Sequence, residues 1–193
     1  MEIAKRNGML PPFTWIIVFQ IPGSKSNLAL ALYFVPSSTV LSKLFQPNVD
    51  EKELKKIVET ESLPPRYAAL IRQFFFGGDD DARNEKFKMI PYIRDGPYLV
   101  KKTVPSKPAL IGRRLPIRYF RGDSYMELDI DIAGGTKTAK NLTQMSVGFS
   151  SALVFDVAFL LEGKVEDELP EEIIGMASLK NVDLVRRAQP LAL

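Results

Sequence analysis

From Arg118 to Gly135 the chain reads RYFRGDSYMELDIDIAGG, and from Tyr125 to Ile132 its polarity alternates almost residue by residue. Met126, Leu128, Ile130 and Ile132 are apolar, and Glu127, Asp129 and Asp131 lie between them. Strand side chains point to opposite faces with period two, so this run predicts a strand with one face on a core and the other toward water. Ahead of it, Ile117 to Phe120 alternates in the same sense, and Gly122-Asp123 has the form of a two-residue hairpin turn. That turn predicts Phe120 opposite Tyr125, Tyr119 opposite Met126, Arg118 opposite Glu127 and Ile117 opposite Leu128. The apolar members then share one face, and Arg118 and Glu127 form an opposite-charge pair on the other, contributing about 0.2–1 kcal/mol. Carboxylates two residues apart also raise a metal site or a catalytic pair. The alternation accounts for their spacing without either, so they are read as the wet face of a strand. The Arg-Gly-Asp tripeptide is then a hairpin tip. An adhesion role would need an extracellular protein, for which the sequence gives no support.

The 193 residues allow one domain over 1–193 with one sizeable core. The chain contains no cysteine and no histidine. Disulfides, thiolate nucleophiles, Cys-based zinc sites and His-dependent triads are therefore excluded, leaving carboxylate, lysine or tyrosine chemistry or an oxygen-built cation site. No pair of such residues stands out, so the expectation is a protein with no catalytic residues, no metal and no cofactor. The lack of cysteine fits a cytoplasmic protein, and MEIAKRNGMLPP lacks the apolar core of a signal peptide.

FTWIIVFQIPG and NLALALYFVP read as a strand hairpin. The GSKS between them raises a phosphate loop, but Ser24 interrupts the motif and a strand, not a helix, follows. SSTVLSKLF carries a helix cap signal. The charged segment after it, with a thin stripe of Leu54, Ile57 and Val58, reads as a surface helix. Tyr67, Leu70, Ile71, Phe74 and Phe75 recur at helical spacing up to Gly77-Gly78, and DDDARNEKFKMIP reads as a further helix with acids at its start. Three adjacent aspartates also suggest calcium, but a calcium loop spaces its acids, so a cap and turn are preferred.

From Pro97 to Ile132, PYLVKKTV, PALIGRR, PIRYFRG and SYMELDIDIA read as a four-stranded antiparallel meander. From Leu142 to Leu161 the chain is apolar nearly all round, with Asp156 its only charge. This predicts a long buried helix rather than a membrane span, since Gln144, Gly148 and several hydroxyl residues interrupt it. Asp156, buried there, would need a buried arginine, a hydroxyl or a bound ligand as partner. KVEDELPEEIIG reads as an acidic connector with a short helix, and MASLKNVDLVRRA as a final strand. The expected architecture is α+β: an antiparallel sheet curved around a long C-terminal helix, helix-grip-like, with extra helices between the N-terminal hairpin and the meander.

The order of FQIPG, ALALYFVP, FFFGGDDDARNEKFKMIP, KPALIGRRLPIRYFRGDSYMELDIDIA, VFDVAFLLEG and ELPEEIIG resembles the C-terminal domain family of the plant enhanced disease resistance 2 protein, over about residues 13–187. Against that pattern, about 43–66 reads as an insertion. The resemblance implies a domain of undetermined function, often placed after pleckstrin-homology and lipid-transfer-type domains in proteins associated with endomembranes. It carries no catalytic residue over to this chain.

Charge adds the last element. Between Pro97 and Gly122 lie Lys101, Lys102, Lys107, Arg113, Arg114, Arg118 and Arg121 without an acid, in a chain of net charge +3. Three readings stand: pairing with Glu127, Asp129 and Asp131; attraction to an anionic membrane surface; and, least favoured, nucleic acid. A sheet around an apolar helix can leave a cavity, so the expected function is a lipid or apolar-ligand binding module, with Lys101, Lys102, Lys107, Arg113 and Arg114 at its mouth. The alternative is a protein-interaction or structural subunit with the same core and no cavity.

Overall fold

The computed structural model describes residues 12–23 and 26–189. The N-terminal segment and the Ser24-Lys25 pair of the GSKS stretch lie outside the described residues. Strands β1 (Thr14–Ile21) and β2 (Leu28–Phe34) form the expected hairpin. Four helices follow: α1 (Thr39–Leu44), α2 (Glu51–Glu61), α3 (Pro65–Phe76) and α4 (Asp80–Asn84). Ser38 and Asp50 cap α1 and α2 through their side chains, and Asp79 caps α4. The three-aspartate run is therefore a helix start. Tyr67, Leu70, Ile71, Phe74 and Phe75 are buried, as their spacing requires. The α2 helix is not wholly a surface element, because Ile57 from its thin stripe is completely buried.

The remaining elements are β3 (Phe87–Asp95), α5 (Tyr98–Thr103), β4 (Ala109–Leu110), β5 (Ile117–Gly122), β6 (Tyr125–Asp131), α6 (Lys137–Gly148), β7 (Val154–Leu161) and β8 (Ile173–Lys180). They correct the expected architecture in three places. FKMIP is not helical; it opens β3, where Phe87, Met89, Pro91 and Ile93 alternate onto one face. PYLVKKTV is a helix, not a strand: α5 docks Val100 against Ile93 and Leu153, and one inward residue suits a single helical turn. The expected four-stranded meander is thus reduced to β4 and the β5–β6 hairpin. Third, no single helix runs from Leu142 to Leu161. The helix stops at Gly148, a short 3₁₀ turn covers Ser150–Ala152, and Val154–Leu161 is a strand. A short apolar run fits a buried strand as well as a buried helix, and its β-branched and aromatic residues decide for the strand.

These strands make two four-stranded sheets, β2-β1-β6-β5 and β4-β3-β7-β8. The first holds one parallel pair, β1 with β6; the second is antiparallel throughout. The class is α+β as expected, but two facing sheets replace one sheet curved around a helix. Trp15, Ile17, Phe19 and Ile21 from β1 face Phe159 and Phe87, with ring centroids 5.7 Å apart for Trp15–Phe159 and 6.1 Å for Trp15–Phe87.

The opening hairpin keeps its faces but shifts its register by two residues. Arg118 lies opposite Asp129, Phe120 opposite Glu127, and Gly122 opposite Tyr125. Met126, Leu128 and Ile130 are fully buried on one face, and Ile117 and Tyr119 pack against them. Alternation cannot detect a two-residue slip, because such a slip returns every side chain to its own face. The deciding contact is local: a Cβ at Gly122 would stand 2.3 Å from the Tyr125 ring, so this ring covers the glycine. Asp123 and Ser124 then form the turn.

Candidate ligand cavity

The space between the sheets is filled unevenly. Around Trp15, Phe34, Phe75, Phe87 and Phe159 it is closed by rings in stacked and edge-on contacts 5.4–6.1 Å apart. Helix α3 caps this end through Tyr67, whose hydroxyl accepts from the Leu161 N–H (3.0 Å) and donates to the Glu172 carbonyl (2.6 Å). Further along the same strands lies a cavity of about 670 Å³. One sheet lines it with Phe19, Ile21, Leu30 and Leu32, and the other with Met89, Pro91, Phe155, Val157 and Leu179.

Helix α6 forms the third wall. Thr136 caps it by accepting from the Ala139 N–H at 3.2 Å. Ala139, Leu142, Thr143, Ser146 and Val147 recur every three or four residues, so they share one face, and all five line the cavity. No α6 residue is fully buried. The helix touches α5 and β1, but its inner face looks onto open space. Beside Leu142 and Val147, the small or hydroxyl-bearing Ala139, Thr143 and Ser146 stand where a helix packed into a core would carry larger apolar residues.

The segment between α5 and β5 closes the rim with Val104, Pro105, Lys107, Ala109, Ile111, Arg113 and Arg114. Three of the five basic residues expected at a mouth therefore meet at one cavity. Arg113 is committed elsewhere: its Nε donates to Glu85 Oε1 at 2.8 Å and its Nη2 pairs with the second carboxylate oxygen. That hydrogen bond holds the Glu85 carboxyl below the usual carboxylate range. Lys107 and Arg114 are exposed and, among the described residues, pair with no carboxylate. Lys101 and Lys102 do not line the cavity. They sit exposed on α5, where the Lys101 ammonium reaches the Arg94 carbonyl at 3.5 Å and the Lys102 ammonium lies 6.0 Å from the centre of the Tyr98 ring. They are helical residues, not strand residues.

Asp156 lies on β7, on the outward face of its sheet. Its partner is Arg94, with Nη2 at 2.6 Å and Nε at 2.9 Å from Oδ2. Arg94 is more than half exposed, so the partner is an arginine at the surface and not the buried one expected, and the cavity does not use Asp156. Glu127, Asp129 and Asp131 line the outer face of the other sheet, beside Ile16, Val18 and Gln20 of β1. Gln20 Nε2 donates to Asp129 Oδ2 at 2.8 Å. Because β6 is flanked on both sides, burial first and the Asp129 charge second push the Glu127 carboxyl up. Among the described residues, no group of three or more His, Cys, Asp or Glu is placed to hold a metal ion.

Residue-by-residue reading of the sequence named the sheet and the apolar helix as cavity walls but missed most of the residues that line it. The lost signal is in α6, where Ala139, Thr143 and Ser146 break an otherwise core-like face. No helix among the described residues is long and apolar enough to cross a membrane.

The family profile described as Protein ENHANCED DISEASE RESISTANCE 2, C-terminal, matches residues 2–183. A protein of Arabidopsis thaliana named Protein ENHANCED DISEASE RESISTANCE 2-like is 30% identical over 183 residues, covering 95% of this chain. The chain spans only 21% of that relative's length. No solved structure matches it.

Proposed function

This chain belongs to the family of the C-terminal domain of Protein ENHANCED DISEASE RESISTANCE 2, and from that premise we propose that it is a non-catalytic module that binds a lipid or another apolar ligand. The observation that carries this reading is the apolar cavity of about 670 Å³ between the sheets and α6. Protein interiors are close-packed, with few voids larger than a water molecule. Ligand pockets fall at roughly 300–1,000 Å³, with apolar walls and a few polar groups. The cavity fits that description, with hydroxyls on one wall and cations at the rim.

Membrane association belongs to the same proposal. Lys101 and Lys102 on α5 and Lys107 and Arg114 at the rim would draw the domain to anionic surfaces, each charge adding about 1 kcal/mol near the membrane. The attraction would be peripheral and reversible, and salt would weaken it as the Debye length falls.

Native mass spectrometry of the purified protein, followed by lipid extraction, tests the reading. A co-purifying apolar molecule, lost from a variant whose cavity is filled, is the expected result. A protein that carries no such molecule and takes up none from mixed lipid extracts would instead favour a structural or interaction module.

A further inference from the structure

The lining of the cavity has a sign. Among the described residues that line it the charged ones are Lys107, Arg113 and Arg114, and none is a carboxylate. Glu85 neutralises Arg113, which leaves Lys107 and Arg114 as cations beside apolar space. A shallower hollow of about 440 Å³ shares Ala109, Arg113 and Arg114 with the cavity. Its two remaining charges, Lys88 and Glu162, pair with each other. Arg114 thus stands between an apolar compartment and an open polar one.

Size narrows the occupant further. A methylene group is close in size to a water molecule, whose share of liquid volume is about 30 Å³. The cavity's 670 Å³ then holds roughly twenty such groups, the size of one long hydrocarbon chain. Resting on the lipid-binding reading above, we propose that the ligand is a single-chain anionic amphiphile. Its chain lies between the two sheets and α6, and its carboxylate or phosphate sits at Lys107 and Arg114. Both cations donate charge-assisted hydrogen bonds to such a group, and Arg114 can do so in a bidentate manner.

The test uses the full chain and a fluorescent apolar probe displaced by three competitors: a saturated fatty acid, the fatty alcohol of the same chain length, and a lysophosphatidic acid. The acids should bind at least about fivefold more tightly than the alcohol. Each methylene removed from the chain should weaken binding by about fourfold. A Lys107→Gln, Arg114→Gln variant, its fold checked by circular dichroism, should lose the preference for acids and keep its affinity for the alcohol. A Lys52→Gln, Lys56→Gln variant, on the exposed side of α2 away from the cavity, should behave as the parent. Tighter binding of the fatty acid or of the lysophosphatidic acid identifies which anionic group the rim takes. Equal binding of acid and alcohol by the parent, or equal weakening of both in the rim variant, would overturn the anionic assignment while leaving an apolar site. Failure of every competitor, alcohol included, to displace the probe would overturn the lipid-binding reading itself.

Discussion

The two ends of the same interlayer space differ in what plugs them. At one end α3 and the start of β1 set Phe74 against Phe87, Trp15 against Phe87 and Phe159, and Phe75 between Trp15 and Phe13, and the space is filled. At the other, α6 presents Leu142 and Val147 interrupted by alanine, threonine and serine to an apolar opening. Strands β1 and β7 supply side chains to both ends, Trp15 and Phe159 to the filled one and Phe19, Ile21, Phe155 and Val157 to the open one. What differs is the helix laid across each end, through the size of the side chains on its inner face. One end supplies the stability that the other forgoes.

The largest effect should follow from emptying the filled end. Phe159 is completely buried and contacts Trp15, Phe19, Phe34 and Phe87. Phe159→Ala should cost about 3–5 kcal/mol in urea denaturation. Val147→Ala, on the half-buried wall of the cavity, should cost under about 1 kcal/mol, since the residue already faces open space. Similar losses at the two positions would break the comparison.

Adding volume gives the next largest contrast. A Cβ at Gly175 would stand 3.0 Å from Trp15 and 3.2 Å from Phe34, inside an end with no room. Gly175→Val should cost about 1–3 kcal/mol by overpacking. A gain in stability there would show that the rings are less tightly set than their contacts imply.

Tyr67 is the seam between α3 and the filled end. Removing its hydroxyl in Tyr67→Phe leaves the buried Leu161 N–H unpaired, at a cost of about 1–3 kcal/mol. Burial also pushes the Tyr67 phenol up to about 12, from an ordinary value of 10.0. A raised folded pKa means that this contribution is complete below the unfolded value and is lost as pH rises through the folded one. The stability gap between parent and variant should therefore hold up to about pH 10 and narrow toward about pH 12. A gap constant across that interval would show that the hydroxyl titrates as it does in water.

What the sequence made legible divides along the same line. Elements whose burial has one simple period were readable: the β1–β2 hairpin, the α3 stripe and the alternating face of β6. Elements defined by what they pack against were not. Val154–Leu161 is apolar except for Asp156, and a buried helix segment has much the same pattern. PYLVKKTV is helical because one residue, Val100, finds a small pocket beside Ile93 and Leu153. The hairpin register escaped because it depends on the Tyr125 ring covering Gly122, a contact between side chain and backbone that alternation does not encode. Order of motifs, by contrast, survives such errors, which is why the family was recognisable across a fold only partly read. At the site, the acid-free basic stretch named Lys101, Lys102, Lys107, Arg113 and Arg114, of which Lys107, Arg113 and Arg114 line the cavity, while most of the apolar lining came from residues that look like ordinary core.

The smallest effect sharpens the comparison most. Ser146 lines the cavity from α6, with neighbours at helical spacing and no side-chain hydrogen bond that its replacement would break among the described residues. Ser146→Leu inserts methyl groups into apolar space instead of into packed rings, and leucine is a better helix former than serine by a few tenths of a kcal/mol. The change should leave stability within about 1 kcal/mol of the parent, with the balance toward stabilisation. The same kind of enlargement at Gly175 should be plainly destabilising, so the pair measures the difference between the two ends directly. The leucine would also remove volume that a bound chain needs, and competitor affinity should fall while the fold holds. If Ser146→Leu destabilised the protein as much as Gly175→Val, the space beside α6 would be closed in solution, and the contrast between the two ends would disappear with it.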